Sequence, residues 1–243
     1  MAFILLLLSV LHAGCPASHS RSRAPGEKQH RIYTTNFNFQ EYPVSDNGNW
    51  INGKADGIDW SDVSAEKGIA IGHQKGDVRY VDGTALLTGK WGPDQKARAT
   101  VYVGNTYPED YPEVELRLWS SLSARHCSGY EIAFSAAGRT DRAYLIIVRW
   151  NGPVGDFTYI KDLKGPQYGV KNGDVIEARI TGSAITAYLN GIEIASATDS
   201  VYTEGNPGMG FNFDWVDHGR PTGTNSSYGF TDFFATDDIT VIR

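Results

Sequence analysis

The chain has 243 residues, of which 41% are hydrophobic and 12% aromatic, with 27 Gly, 10 Pro and a formal net charge of −6. Beyond the N-terminal region no tract of Lys and Arg is found, so the sequence lacks the electrostatic footprint of a nucleic-acid-binding protein. Aromatic residues fit the pleated surface of a sheet, while Gly and Pro favour turns. The composition therefore favours strands over helices.

The N-terminus carries an apolar run, Phe3 to Leu11, that is too short to cross a bilayer as a helix. Small residues and then a polar, basic stretch follow it, an order typical of a secretory signal peptide. We predict a signal peptide over residues 1–17, a flexible tether over 18–30 and one domain over 31–243, in a protein that is secreted, periplasmic or on the cell surface. The alternative is a buried first strand, but no turn residues connect the run to the rest of the chain.

The segment from Ala13 to Cys15 resembles the end of a bacterial lipoprotein signal, in which the cysteine becomes the lipid-bearing N-terminus. That pattern has Leu three residues before the cysteine, whereas this chain has His12 there and Leu11 one place earlier. A lipid anchor at Cys15 is therefore an alternative to ordinary cleavage of the signal peptide.

Strand patterns recur at short intervals from Ile32 to the C-terminus, and no segment has the pattern of an amphipathic helix. The strand segments are 97–103, 113–119, 129–134, 143–150, 174–180, 184–189 and 192–195. Asn190-Gly191 separates the last two and predicts a β-hairpin, because both residues tolerate positive φ. We expect long loops over 40–81 and 214–228. Short strands at this spacing predict an all-β, antiparallel two-sheet sandwich.

Four segments resemble the concanavalin A-like lectin/glucanase superfamily and its laminin-G-like domains: 33–50, 172–195, 205–211 and 230–241. Among them, Leu189-Asn190-Gly191 is similar to the turn of a characteristic hairpin in those domains. The resemblance implies a concanavalin A-like jelly roll that binds or cleaves a glycan on a concave sheet face or at its loop rim. It also implies a structural calcium in some members.

The segment from Glu113 to Trp119 is the sharpest candidate for a ligand site. A period of two places these side chains on one face of the strand: Glu113, Glu115, Arg117 and Trp119. Charged groups bind the hydroxyls of a sugar and an indole stacks on its ring, so we expect this face to bind a glycan. The alternative is a solvated face with cross-strand ion pairs.

Tryptophans near turns and loops are expected to be exposed and to contribute to ligand binding: Trp60, Trp119, Trp150 and Trp215. Trp50 and Trp91 are expected to pack in the core, because a β-sandwich needs large apolar anchors.

Glucanases of the superfamily have a Glu-x-Asp-x-Glu strand or a similar one, in which the outer acids act as nucleophile and acid/base. The corresponding series here is Glu113-x-Glu115-x-Arg117, so a cation replaces the third acid. We expect Arg117 to lower the pKa of its neighbours, which argues against retaining hydrolysis by this strand.

Jelly-roll polysaccharide lyases offer a second comparison, since their motifs read Arg-x-Glu-Leu-Arg, Gln-Ile-His and Tyr-x-Lys. The chain has Glu115-Leu116-Arg117 without the first Arg, and Ala133 stands where the His is expected. For a lyase, the resemblance implies the following catalytic candidates: Arg117, Tyr130, Tyr159 and Lys161.

Asp237 and Asp238 are the candidate ligands for calcium, which prefers six to eight oxygens. The alternative for these and for Asp56, Asp59 and Asp62 is a role in loop turns and solubility. Cys127 adjoins His126, but adjacency alone does not activate a thiol, and we expect a half-buried, unpaired cysteine.

The leading hypothesis is an exported, non-catalytic glycan-binding domain, without a transmembrane segment and without a nucleic-acid partner. The rival is a polysaccharide-degrading enzyme, a lyase more than a hydrolase. A third interpretation is a structural surface domain without a small ligand.

Overall fold

The computed structural model describes residues 30–53, 60–74, 80–104, 106, 111–212 and 227–240. These ranges contain fifteen strands and one 3-10 turn, Pro166–Tyr168, and no α-helix. The strands are β1 (Ile32–Thr35), β2 (Trp50–Asn52), β3 (Val63–Glu66), β4 (Ile69–Gly72), β5 (Gly83–Leu87), β6 (Gln95–Val103), β7 (Glu113–Ser123), β8 (His126–Ser135), β9 (Tyr144–Gly152), β10 (Phe157–Lys164), β11 (Val175–Thr181), β12 (Ala184–Leu189), β13 (Ile192–Thr198), β14 (Asn206–Asn212) and β15 (Tyr228–Thr236). Within the described ranges, no helix has the length and hydropathy needed to cross a membrane.

The strands form two antiparallel sheets. The seven-stranded sheet has the order β10–β9–β8–β7–β14–β5–β2, and the eight-stranded sheet has the order β13–β12–β11–β6–β15–β4–β3, with β1 paired to β15. The predicted two-sheet antiparallel sandwich is therefore confirmed. The signal peptide, the lipid-anchor candidate Cys15 and nearly all of the tether lie outside the described residues.

The main core lies between the two sheets and is built from the alternating apolar residues of the strands. Val114, Leu116 and Leu118 of β7 are fully buried there, as period two predicts. Trp50 and Trp91 also belong to this core, with 5% and 6% of their surface exposed, so both were predicted correctly.

The chain ends meet in the eight-stranded sheet, where Ile32 of β1 pairs with Thr236 of β15. The closing strand thus returns beside the first one, as the resemblance implies. The hairpin between β12 and β13 is also confirmed, with Asn190 at φ 51° and Gly191 at φ 79°.

The expectation of one long loop over 40–81 was wrong, because the segment contains β2, β3 and β4. These strands have only three or four residues each, too few for an alternating pattern to be visible in the sequence.

A second group of buried side chains covers the outer face of the seven-stranded sheet, on the side opposite the main core. It includes Cys127, Ala133, Ile146 and Val148, and Trp60 and Trp150 complete it. This face of the sheet is therefore partly a second, smaller core rather than a solvated surface.

Candidate functional site

A cleft of about 220 Å³ lies on the outer face of the seven-stranded sheet. Aromatic side chains form much of its wall: Tyr80, Tyr111, Tyr144, Trp150, Phe157 and Tyr159. Polar side chains supply its hydrogen-bonding groups: Asp82, Glu113, Glu131, Asp162, Lys164 and Asn212. Strands β7 to β10 and β14 contribute most of these residues, because alternate positions of adjacent strands face the same side.

Glu113, the first residue of β7, is a buried carboxyl group at the cleft. The Tyr144 hydroxyl donates a hydrogen bond of 2.6 Å to its Oε1, and Asn212 Nδ2 donates one of 3.0 Å to its Oε2. Burial, and then the charge of Glu131, raise the pKa of Glu113 to about 8, against the lowering effect of the two hydrogen bonds. Glu113 is therefore largely a neutral carboxylic acid at pH 7.

Beside Glu113 lies a buried charge cluster of Asp82, Glu115, Arg117 and Glu131. Arg117 Nη2 lies 2.7 Å from Asp82 Oδ2, 2.5 Å from Glu115 Oε2 and 3.0 Å from Glu131 Oε2. Trp150 Nε1 donates a further hydrogen bond of 2.5 Å to Glu131 Oε2. The single guanidinium of Arg117 thus pairs with three carboxyl groups. Two of them, Asp82 and Glu131, also line the cleft.

Arg117 does lower the pKa of Asp82 and Glu115, as expected, but burial and the neighbouring carboxylates outweigh it, so the net shifts are upward. Burial, and then the charge of Glu131, raise the pKa of Asp82 to about 7 despite the opposing effect of Arg117. Burial and the same neighbouring carboxylates raise the pKa of Glu115 well above its usual range. A single cation cannot offset three carboxylates where water is excluded, so protonation relieves the repulsion.

Packing seals Arg117 completely. Its guanidinium carbon lies 5.7 Å from the ring centre of Trp60 and 5.9 Å from that of Trp150. On the neighbouring strand β14, Gly210 faces Glu115, and a Cβ atom there would come within 2.1 Å of Glu115 Oε2. The absence of a side chain at position 210 therefore makes room for the charge cluster.

Among the described residues, three carboxyl groups lie close enough together to share a metal ion: Asp82, Glu115 and Glu131. Arg117 Nη2 already lies within 3.0 Å of all three. The guanidinium therefore fills the place that a cation would need.

Comparison with solved structures places the fold among carbohydrate-active domains. A carbohydrate-binding module CBM66 from Bacillus subtilis matches with a TM-score of 0.53 and 16% identity, over 75% of this chain and 91% of that one. The kappa-carrageenase from Pseudoalteromonas carrageenovora, in complex with an oligotetrasaccharide of kappa-carrageenan, matches with a TM-score of 0.51 and 12% identity, over 90% and 99%. A GlcNAcα1-4Gal releasing endo-β-galactosidase from Clostridium perfringens matches with a TM-score of 0.53 and 11% identity, over 91% and 66%.

The fold is concanavalin A-like. No protein-family model matches the chain, and no curated protein matches its sequence. At identities this low the likeness establishes the fold alone, so function has to be argued from the cleft.

Within this concanavalin A-like sandwich, Glu113, Glu115 and Arg117 share the outer face of β7, as predicted, but Trp119 does not. A β-bulge between Leu118 and Ser121 interrupts the pairing of β7 with β8, and Trp119 has a φ of 47°. Trp119 consequently packs in the main core, against Tyr130 at 6.0 Å between ring centres. Its placement on the ligand face was wrong.

The prediction that Trp60, Trp119 and Trp150 are exposed was also wrong, since their exposed fractions are 0%, 3% and 3%. Trp60 and Trp150 contact each other edge to face at 4.5 Å and cover the charge cluster. Of the three, only Trp150 lines the cleft, while Trp215 lies outside the described residues.

The four lyase candidates do not come together. Arg117 is sealed on the outer face, whereas Tyr130 lies in the main core on the opposite face and donates a hydrogen bond to Asp199. Tyr159 lines the cleft and is 56% exposed. A bulge between Tyr159 and Lys161 changes the register of β10. Among the described residues that follow the bulge, Asp162 and Lys164 line the cleft and Lys161 does not.

The calcium candidates Asp237 and Asp238 are engaged within the chain. Asp237 accepts hydrogen bonds from the backbone N–H groups of Arg31 (2.6 Å) and Gly92 (2.8 Å), and Asp238 accepts from Thr240. Among the described residues, neither carboxylate belongs to a group of three or more acidic, His or Cys side chains that could share a metal ion. Asp237 itself ties the N-terminal strand to the C-terminal one. Calcium binding there stays a prediction, while Asp56 and Asp59 lie outside the described residues.

Cys127 is fully buried next to the charge cluster, with its Sγ 4.0 Å from Arg117 Nη1. Burial raises the pKa of this thiol to about 12, although Arg117 acts in the opposite direction. A thiol of this kind is not an activated nucleophile.

Sequence reasoning missed Asp82, Tyr144 and Asn212, which come from the residue before β5, from β9 and from β14. Asp82 directly precedes a glycine, and Asn212 ends its strand, so both resembled ordinary turn residues. For Tyr144, period two along β9 gave a usable signal, because it places Tyr144 on the same face as Trp150.

Proposed function

We propose that this chain binds a glycan in the cleft of the seven-stranded sheet. The observation that carries the proposal is the combination of exposed rings at the rim with buried hydrogen-bonding groups in the floor. Tyr159 and Tyr111 are 56% and 38% exposed, so their faces are open to a sugar ring. Glu113 and Asn212 line the same cleft and are buried, each with 7% of its surface exposed.

The size of the cleft favours binding of a small part of a glycan. Its volume of about 220 Å³ is below the range of roughly 300–1,000 Å³ typical of clefts for drug-sized ligands. A single sugar ring at a chain end or side branch fits this volume better than several consecutive rings. The rest of a bound glycan would then extend over the loop rim.

The structural relatives support the same conclusion. They include a carbohydrate-binding module, a carrageenase in complex with an oligosaccharide and an endo-β-galactosidase. Sharing a fold does not transfer a function, but it shows that this sandwich is compatible with glycan ligands.

A glycan array followed by affinity electrophoresis tests the proposal with the variant Tyr159→Ala. Loss of a stacking ring is expected to weaken binding about tenfold, equivalent to about 1.4 kcal/mol. Tyr42→Ala is the matched control, since Tyr42 is 60% exposed and packs on His73, and is not among the residues that line the cleft. Equal affinities for the two variants would overturn the site, and failure to bind any glycan would overturn the function.

A second candidate, glycoside hydrolysis, is favoured by one observation. Glu113 is a neutral acid and Glu131 is ion-paired with Arg117, and both line the same cleft. A neutral carboxyl group beside an ion-paired one is the arrangement that a general acid and a base or nucleophile require. The separation of Arg117, Tyr130 and Lys161 makes lyase chemistry the weaker form of the enzyme hypothesis.

Reducing-end assays on the glycans that bind separate binding from hydrolysis. For a binding domain, we expect no turnover by the unaltered chain. Turnover that is abolished in Glu113→Gln, while binding of the same glycan persists, would establish the hydrolase.

We also propose that the chain is exported under the direction of residues 1–17. The support is the apolar run from Phe3 to Leu11 and the small residues that follow it. N-terminal sequencing of the product recovered from an expression host tests the cleavage. Incorporation of labelled fatty acid that is lost in Cys15→Ser would establish a lipid anchor.

A further inference from the structure

The charges around the cleft define the chemical class of ligand that it can accept. We propose that the cleft takes an uncharged sugar ring and rejects rings that carry a uronate, a sulfate or a sialyl carboxylate. This inference rests on the proposed glycan-binding function and adds the ligand class to it.

The described lining of the cleft holds more carboxyl groups than cations. Four carboxyl groups line it, Asp82, Glu113, Glu131 and Asp162, against one cation, Lys164. Lys164 Nζ lies 3.7 Å from Asp162 Oδ2, and 76% of its side chain is exposed, so water screens most of its charge. An anionic ring would therefore meet the partly ionised carboxyl groups of Asp82 and Glu113 and only a screened, already paired ammonium group at the rim.

Among the described residues beside the floor, the guanidinium of Arg117 is not available to a ligand. Arg117 is 0% exposed, and its Nη2 is surrounded by three carboxyl groups within 3.0 Å. A guanidinium fork binds an acid group through two parallel hydrogen bonds, which the ligand can form only where it can reach the fork. In this chain the fork faces inward, and Trp60 and Trp150 cover it.

A neutral ring finds matching groups in the same place. Glu113 is largely protonated at pH 7 and can donate a hydrogen bond, whereas ionised carboxylates accept bonds from sugar hydroxyls. The Tyr159 and Tyr111 rings supply apolar faces for stacking. The cleft would therefore select neutral rings in two ways, by favourable contacts with them and by like-charge repulsion of acidic rings.

Matched pairs of oligosaccharides test the inference by isothermal titration at about pH 7.5, where the floor carboxyls are partly ionised. Suitable pairs are xylo-oligosaccharides without and with glucuronic acid, N-acetyllactosamine without and with sialic acid, and galactan oligosaccharides without and with sulfate. In every pair that binds, we expect the neutral member to bind at least about tenfold more tightly. Equal or tighter binding of the acidic member would overturn the inference and leave the glycan-binding function intact. Absence of binding in all pairs would overturn the proposed function and the inference with it.

Charge reversal at the rim provides a second test. Asp162→Lys places a cation at a half-exposed position of the cleft and is expected to reduce the ratio of neutral to acidic affinity several-fold. Asp141→Lys makes the same charge change at an exposed position that is not among the lining residues, and should leave the ratio unchanged. An equal effect of the two variants would show that overall charge, and not the cleft, sets the preference, which would overturn the inference.

Discussion

Arg117 Nη2 lies 2.5 Å from Glu115 Oε2, and both side chains are fully buried on the same face of β7. The pair is two residues apart on one strand, so the backbone itself brings the two groups together. Asp82 and Glu131 then join from other segments and give the cluster more carboxyl groups than cations. The cluster depends on Arg117, because its one guanidinium lies within 3.0 Å of all three carboxyl groups.

Arg117→Met is expected to destabilise the domain by about 3–5 kcal/mol, since it leaves buried carboxyl groups without their cation. Chemical denaturation measures the change in the free energy of unfolding. Arg179→Met is a matched control, because Arg179 pairs with Glu177 two residues earlier on β11 at the same distance of 2.5 Å, but with 38% of its side chain exposed.

The control should lose only about 0–1 kcal/mol. The double variant Arg117→Met with Glu115→Gln should recover part of the lost stability, since it removes one of the uncompensated carboxyl groups. Equal costs at positions 117 and 179 would contradict the role assigned to the buried cluster.

Gly210→Ala is expected to destabilise the domain through contact with the charge cluster. The new Cβ atom would lie 2.1 Å from Glu115 Oε2 and 3.0 Å from Arg117 Nε, so the ion pair has to shift. A loss of about 1–3 kcal/mol in the free energy of unfolding is typical of overpacking. Gly104→Ala is the control, because the nearest atom to its Cβ is the hydroxyl of Tyr102 at 3.1 Å, the far end of a movable side chain.

A double-mutant cycle with Glu115→Ala identifies the cause. The cost of Gly210→Ala should shrink when Glu115 is absent, because its closest contact is gone. Additive costs would show that the glycine is required for another reason.

Trp119→Ala is expected to cost about 3–5 kcal/mol of stability through the cavity it leaves in the main core. Binding of a glycan by the folded variant should change little, because Trp119 is not among the residues that line the cleft. Denaturation and affinity electrophoresis on the same preparation measure both quantities. If the variant kept full stability but no longer bound the glycan, Trp119 would belong to the ligand site after all.

The sequence predicted the strands wherever apolar and polar residues alternate over at least six positions, as from Glu113 to Leu118. The prediction failed at Trp119, and the lyase candidates Tyr159 and Lys161 are likewise separated by a bulge that shifts the register. A bulge depends on how a strand pairs with its neighbour, and that information is not contained in the strand's own sequence.

The candidate site was predicted in part. Glu113, Glu115 and Arg117 do share one face, but the sequence offered two states for it, a ligand surface or a solvated face. In the structure most of this face is buried, because Trp60 and Trp150 from distant segments cover Arg117. Burial of one segment by another raises the pKa values of the carboxyl groups despite the effect of Arg117, and this burial can be read only from the tertiary structure.

The Cys127 thiol should resist alkylation in the folded protein. It is fully buried and its pKa is raised to about 12, so access and thiolate content are both low. Iodoacetamide labelling followed by peptide mapping should modify Cys127 only after the addition of denaturant. Rapid labelling of the native protein at pH 7.5 would contradict this placement.

Stability should fall as pH rises from about 5 to about 9, the reverse of the usual behaviour of ion-paired carboxylates. In the folded state the pKa of Asp82 is raised from 3.8 to about 7, and that of Glu113 from 4.5 to about 8. The folded state therefore holds these protons more tightly than the unfolded state. This contribution is complete below about pH 4 and is lost as pH rises through 7 and 8.

Calorimetric Tm values across this interval check the sign, and Glu113→Gln identifies one of the groups responsible. The amide introduced by this change keeps an oxygen that can accept from Tyr144 but does not ionise, so the decline in Tm around pH 8 should become shallower. Arg179→Met should leave the slope unchanged, because its ion pair lies on the other sheet, away from Asp82 and Glu113. A Tm that stays constant or rises with pH over this interval in the unaltered protein would contradict the raised pKa values of Asp82 and Glu113.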